Sequence, residues 1–209
     1  DWDEGAARDF LDSAIRAFSW AEANRSEDMG ETYWDAQAAA ELLKTTGSAE
    51  YDQAFIAHMP FRENDLVFSL PRYVSDSIIP AMLAYAGIER ASAEHRAAIE
   101  TVLRDRSTYW IDSARGTGYR FVKHPFAPVT FGSYTTPVYA GYLFRLYALY
   151  GGDEFREWGT YTCDLTLGTN PAGLSWVTGL GSHAVAKPLH LHSLTDDIDA
   201  IEFAENFHV

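Results

Sequence analysis

Two joints between helical stretches constrain the fold of this chain more than anything else in it. In "LLKTTGSAEYDQAF" Gly47 is followed at once by Ser48, and in "YALYGGDEFREW" Gly151 and Gly152 are followed by Asp153. Glycine takes the left-handed conformation that ends a helix, and Ser or Asp accepts the free N–H groups that begin the next. A joint this short leaves the second helix no path but back along the first, so each is the corner of an antiparallel pair. "AYAGIERASAEH", with Gly87 and Ser92, supplies a looser third corner.

Between the joints the apolar spacing is helical. Phe10, Ala14, Ala17, Phe18 and Ala21 recur at three- and four-residue steps, as do Trp34, Ala38 and Leu42, which predicts helices that each bury that face. Asp3, Glu4, Asp28 and Glu31 read as ordinary helix-start acids. Roughly seven helices are expected, with "VTFGSY" and "SWVTGL" as short strand candidates. The predicted class is all-α, built from hairpins, without a fixed-period repeat, a low-complexity tract or a domain linker.

Composition narrows the function. The chain has 209 residues and 47% hydrophobic content, enough to bury a sizeable core. Its formal net charge of −14 repels phosphate backbones and anionic lipid, so nucleic acid and membrane surfaces are unfavourable partners. A lone cysteine, Cys163, excludes an intrachain disulfide and a Cys-based zinc site but fits several compartments. There is no run of eighteen apolar residues. The opening "DWDEGAARDF" carries no signal-like segment and reads as a cut rather than a natural start.

Aromatic residues make up 14% of the chain, and Tyr33, Trp34, Phe131, Tyr134 and Tyr139 fall in expected loops or helix ends. Aromatic faces in a concave site stack on the apolar faces of sugar rings, although for any single residue core packing is the default. The group in "PVTFGSYTTPVYAGYLF" stands out because Pro and Gly bound it. The segment "CDLTLGTNPAGLSWVTGLGSHAVAKPLHLHS" is equally unusual for a helical chain. Gly168 stops a helix there, Asn170-Pro171 turns the chain, and Gly173 lets it reverse.

That segment resembles glycoside hydrolase family 9, the inverting cellulases, in which a helix ends in Leu-Gly-x-Asn-Pro-x-Gly-x-Ser-Tyr-Val-Thr-Gly-x-Gly. The matching residues are Leu167, Gly168, Asn170, Pro171, Gly173, Ser175, Val177, Thr178, Gly179 and Gly181, with Trp176 in the aromatic place. "YWDAQAAAELLKTTGSAEY" and "FGSYTTPVYAGYLFRLYALYG" are similar to two further family segments. The resemblance implies helical hairpins forming part of an (α/α)6 barrel. It also implies hydrolysis of β-1,4-glucan linkages with inversion, an oligosaccharide or polysaccharide partner, and a secreted or periplasmic setting. Family catalytic domains are about twice as long, so residues 1–209 read as a C-terminal-half portion, incomplete at both ends.

By the same resemblance Phe131, Tyr134, His190 and His192 line the sugar cleft. His190 falls on the family's cleft His, and His192 stands where an Arg belongs, which replaces a fixed planar charge with a titratable ring. Phe131 replaces the usual Trp, keeping a stacking face without the indole donor. Inverting hydrolysis needs a protonated carboxyl and a carboxylate roughly 6.5–9.5 Å apart. The family's Asp-Ala-Gly-Asp base loop does not occur in this sequence. Glu202 and Glu205 follow His192 too closely, and lack the Asn-Glu-Val-Ala pattern, to be the acid. No catalytic residue is therefore assigned, no cofactor or metal is expected, and the isolated chain is expected to be inactive. Two other readings stay open: a carbohydrate-binding helical module without chemistry, or another (α/α) toroid sugar enzyme. His183, His190, His192, Asp196 and Asp197 also make a possible zinc cluster, since His-x-His is a common ligand spacing.

Overall fold

The computed structural model describes residues 3–25, 33–62, 65–66, 78–122 and 136–184. Seven helices are present among them: α1 Glu4–Ala23, α2 Trp34–Thr46, α3 Ala49–His58, α4 Ile78–Ala86, α5 Ala93–Arg115, α6 Thr136–Tyr150 and α7 Asp153–Thr166. A small antiparallel ladder joins β1 Phe61–Arg62 to β2 Asp65–Leu66, pairing Phe61 with Leu66. The chain divides into two compact units, residues 1–109 with 145–151 and residues 110–144 with 152–209.

In the first unit the predicted corners form as the sequence requires. Gly47 sits at φ 74° and donates to the Leu43 carbonyl at 2.8 Å, closing α2. The Ser48 side chain accepts from the Glu50 N–H at 3.4 Å, opening α3. Asp3 caps α1 by accepting from Gly5 and Ala6 at 2.8 and 3.2 Å. Ser92 Oγ caps α5 by accepting from the His95 N–H.

The buried faces differ from those expected. In α2 the core side is Ala36, Ala39, Ala40, Leu42 and Leu43, while Trp34 and Ala38 are exposed. The row of alanines lets α2 pack against both α3 and α4, and an indole in that row would hold the helices apart. In α1 the half-buried stripe is Leu11, Ile15, Phe18 and Ala21, with Phe18 edge-on to Tyr51 at 5.6 Å. Phe10, Ala14 and Ala17 face outward. At 100° per residue α1 carries two adjacent apolar stripes, and the one with the larger aliphatic side chains is the one covered.

The centre of this unit is an aromatic stack. Phe55 of α3 lies parallel to Tyr85 of α4 with ring centroids 3.8 Å apart, and neither is exposed. The Tyr85 hydroxyl donates to Asp52 Oδ1 at 2.6 Å and accepts from the Ser92 N–H at 3.2 Å. One side chain thus ties α3, α4 and the start of α5 together. Burial, then the hydrogen bond to Asp52, pushes this phenol well above its usual range.

In the second unit Trp110 of α5 packs edge-on to Tyr139 of α6 at 5.1 Å. Tyr139 is buried, as is Tyr33 in the first unit, so the core-packing default holds for both. The ring of Phe144 crosses Gly159 of α7, where a Cβ would lie 3.0 Å from it. Thr162 Oγ1 donates to the Trp158 carbonyl at 2.7 Å and accepts from the Val122 N–H at 3.0 Å, fastening the chain at Val122 to α7. Burial raises the Cys163 thiol's pKa, which makes it a poor nucleophile at neutral pH. Among the described residues no helix is long and apolar enough to cross a membrane.

Candidate functional site

The loop that follows α7 is built around one buried amide. Leu167 ends the helix by donating to the carbonyls of Cys163 and Asp164, and Gly168, at φ 126°, turns the chain away. Asn170 is 7% exposed and uses its whole hydrogen-bonding capacity on the loop. Its Nδ2 donates to the carbonyls of Leu165 and Leu174, both at 2.8 Å. Its Oδ1 accepts from the N–H groups of Ala172 at 3.1 Å and Leu174 at 3.3 Å. Asn carries two donors and an acceptor oxygen on one planar group, so this residue closes a turn that neither Asp nor Ser could close alone.

The return strand is pinned twice. The Trp176 N–H donates to the Thr166 carbonyl at 2.9 Å, bringing the loop back beside the end of α7. The Ser175 N–H donates to the His183 carbonyl at 2.8 Å, within a single parallel bridge between Ser175 and Ala184. Between these points Val177 to Leu180 make a turn, and Gly179 and Gly181 take φ 74° and 87°, where a Cβ is disfavoured. The expected strand at "SWVTGL" is therefore a bridged turn, and the one at "VTFGSY" lies outside the described residues.

The result is a rigid base and an exposed rim. Asn170 and Ser175 are buried, whereas Val177 and Leu180 are 42% and 49% exposed, and His183 faces outward beside the Ser182 hydroxyl. From Leu165 to Ala184 the only titratable side chain is His183. A surface of that composition binds through apolar contact, backbone groups and one imidazole, and it holds no acid–base pair. The sequence-predicted site residues Phe131, Tyr134, His190 and His192 lie outside the described residues, as do Glu202, Glu205, Asp196 and Asp197.

A second polar cluster, which the sequence reading missed, gathers at helix ends in the first unit. Glu22 near the end of α1, Asp35 in the first turn of α2 and His58 at the end of α3 bring their ligand atoms within 4.8 Å of one another. Thirteen and twenty-three positions separate them, so no local spacing announces the group.

Helices joined in succession by two-residue corners, with an amide-closed loop at a helix end, define an all-α protein of the helical-hairpin class. The chain belongs to glycosyl hydrolase family 9, whose model matches residues 1–208. It is similar to the crystal structure of the family 9 endoglucanase J30, with a TM-score of 0.67 and 26% identity over 87% of this chain and 36% of that one. A Zn-binding triple mutant of J30 matches with a TM-score of 0.66, also at 26% identity over 87% and 36% of the two chains. A metagenome-derived family 9 endoglucanase matches at 0.55 with 25% identity, over 74% of this chain and 28% of that one. The chain spans about a third of the length of the first solved structures it matches. No curated protein matches it. Its helical hairpins form part of an (α/α)6 barrel.

Proposed function

We propose that this chain is the C-terminal-half portion of a family 9 catalytic domain that hydrolyses β-1,4-glucan linkages with inversion, and that its contribution is sugar binding. The observation that carries the reading is the loop closed by Asn170, because a fully satisfied buried amide holds an exposed, uncharged rim in one conformation. Rigid, weakly polar surfaces suit the flat faces of sugar rings, which stack without needing ionised partners. Phe131 and Tyr134 supply stacking faces in this proposal, and His190 and His192 supply donors to hydroxyls. That the similar structures are family 9 endoglucanases supports the substrate class.

A binding module without chemistry is the second reading, favoured by the lack of any carboxylate between Leu165 and Ala184. Titration with cellohexaose followed by tryptophan fluorescence tests the shared part of both. Saturable binding is expected, weakened in Phe131→Ala and in His190→Ala. Binding that neither substitution changes would remove those residues from the site. Joining the chain to the missing family segments separates the two readings, because only the hydrolase gains turnover.

A further inference from the structure

The cluster at the ends of α1, α2 and α3 is wired in a way that fixes a proton. Arg25 Nη1 lies 2.5 Å from His58 Nδ1, and its Nη2 lies 3.2 Å from Asp35 Oδ2. A guanidinium only donates, so Nδ1 must be the bare, accepting nitrogen of the ring. Nε2 then carries the proton and donates to Glu22 Oε1 at 2.8 Å. His58 is thus held as one neutral tautomer, with its lone pair aimed at a cation. The imidazole is also the sheltered member: its side chain is 9% exposed, against 26% for Asp35, 39% for Glu22 and 41% for Arg25.

We propose that this cluster is a site for a divalent transition-metal ion of the zinc class, in which the ion takes the place of the Arg25 guanidinium between His58 Nδ1 and Asp35. The lone pair needed for coordination is already free, so no proton has to leave the ring when the ion arrives. Glu22 keeps the Nε2 proton and orients the ring, as a carboxylate behind a metal-bound histidine does. Two ligands of one tetrahedral zinc ion stand about 3.3–3.5 Å apart. His58 Nδ1 and Asp35 Oδ2 already face two nitrogens of one guanidinium, at 2.5 and 3.2 Å, so both are turned toward a single cation position. Arg25 is exposed enough to swing into water, and solvent completes the shell from the same side. Imidazole with carboxylate selects zinc-like ions, whereas calcium and magnesium prefer oxygen alone. The site would clamp three helix ends that otherwise meet through side-chain hydrogen bonds, and it does not depend on the sugar-binding proposal.

Equilibrium dialysis of the 209-residue chain against Zn2+ at neutral pH, beside its variants, tests this. The wild type is expected to bind one more ion than His58→Gln, whatever the other histidines contribute. Asp35→Asn should lose that ion too, and Glu22→Gln should weaken it less, since the amide oxygen still accepts from Nε2. The sharpest outcome concerns Arg25→Gln: deleting the resident cation should tighten zinc binding roughly tenfold. Nitrogen-resolved NMR of the His58 ring reads the same event without any variant, and Zn2+ should move the Nδ1 resonance while Nε2 stays protonated. Equal stoichiometry in wild type and His58→Gln, weaker binding in Arg25→Gln, an unmoved Nδ1 resonance, or an equal response to Ca2+ would each overturn the site.

Discussion

Asn170 and Tyr85 show how one side chain can organise a neighbourhood, and how differently the two are written in the sequence. Asn170 was legible because a turn that needs two donors and an acceptor oxygen leaves a fixed local pattern of Asn-Pro and Gly. Replacing it with alanine leaves the carbonyls of Leu165 and Leu174 without their side-chain donor. The expected loss is about 2–4 kcal/mol in urea denaturation. Tyr85 was not legible, because its partners Asp52 and Ser92 come from different elements. Tyr85→Phe should cost about 1–2 kcal/mol, having stripped a buried donor from Asp52. Tyr85 also sets an alkaline limit. Its pKa is raised in the folded state, and Tyr150 is pushed up to about 12, chiefly by burial. An unfolded tyrosine loses its proton near pH 10, so above about pH 10 the unfolded state binds fewer protons and stability falls. The tyrosines should therefore add a decline in stability above about pH 10. The decline should be shallower in Tyr85→Phe and shallowest in the double variant with Tyr150→Phe, as read from melting temperature against pH.

Helix boundaries and helix faces were not equally readable. The corner at Gly47-Ser48 has both a left-handed glycine and a side-chain cap, so the local sequence settles it. At Gly151-Gly152 the two positive φ angles form as expected, but Asp153 lies inside α7 and Gly152 precedes it without a side-chain cap, which corrects the expected Asp cap. Gly47→Ala tests the first corner. A Cβ at φ 74° is strained, and it would sit 2.0 Å from the Arg90 guanidinium, which must move. The expected cost is about 1–2 kcal/mol, with little change in the denaturant slope. Faces are set by which neighbour arrives. In α1 two apolar stripes lie side by side, and in α2 the alanine row outranks the stripe with Trp34, because α3 and α4 need close approach. The β1–β2 ladder gave no signal for a similar reason, since two residues per strand are too few to show an alternating pattern.

For the molecule as a whole, membership in glycosyl hydrolase family 9 was visible from the ten matched loop positions, because the loop's hydrogen bonding constrains sequence and structure together. The catalytic pair was not visible, and that sets the last prediction. Inverting hydrolysis divides its work between a carboxyl that protonates the leaving oxygen and a carboxylate that activates water, and neither substitutes for the other. The family resemblance assigns neither role to a residue of this chain, and the described loop offers only His183 as a titratable group. Stacking and hydroxyl contacts bind substrate and transition state about equally, so they tighten association without speeding the chemical step. The 209-residue chain is therefore expected to bind cello-oligosaccharides yet release no reducing sugar from carboxymethylcellulose above the rate in buffer. Glu202→Gln and Glu205→Gln sharpen the assay, because each removes a carboxylate while keeping shape. If the wild type turns over and one of these variants abolishes it, that glutamate is the acid and the family pattern used to set it aside does not govern this protein. If turnover is absent from all three and appears when the chain is joined to a segment carrying Asp-Ala-Gly-Asp and one carrying Asn-Glu-Val-Ala, both carboxylates come from outside these residues.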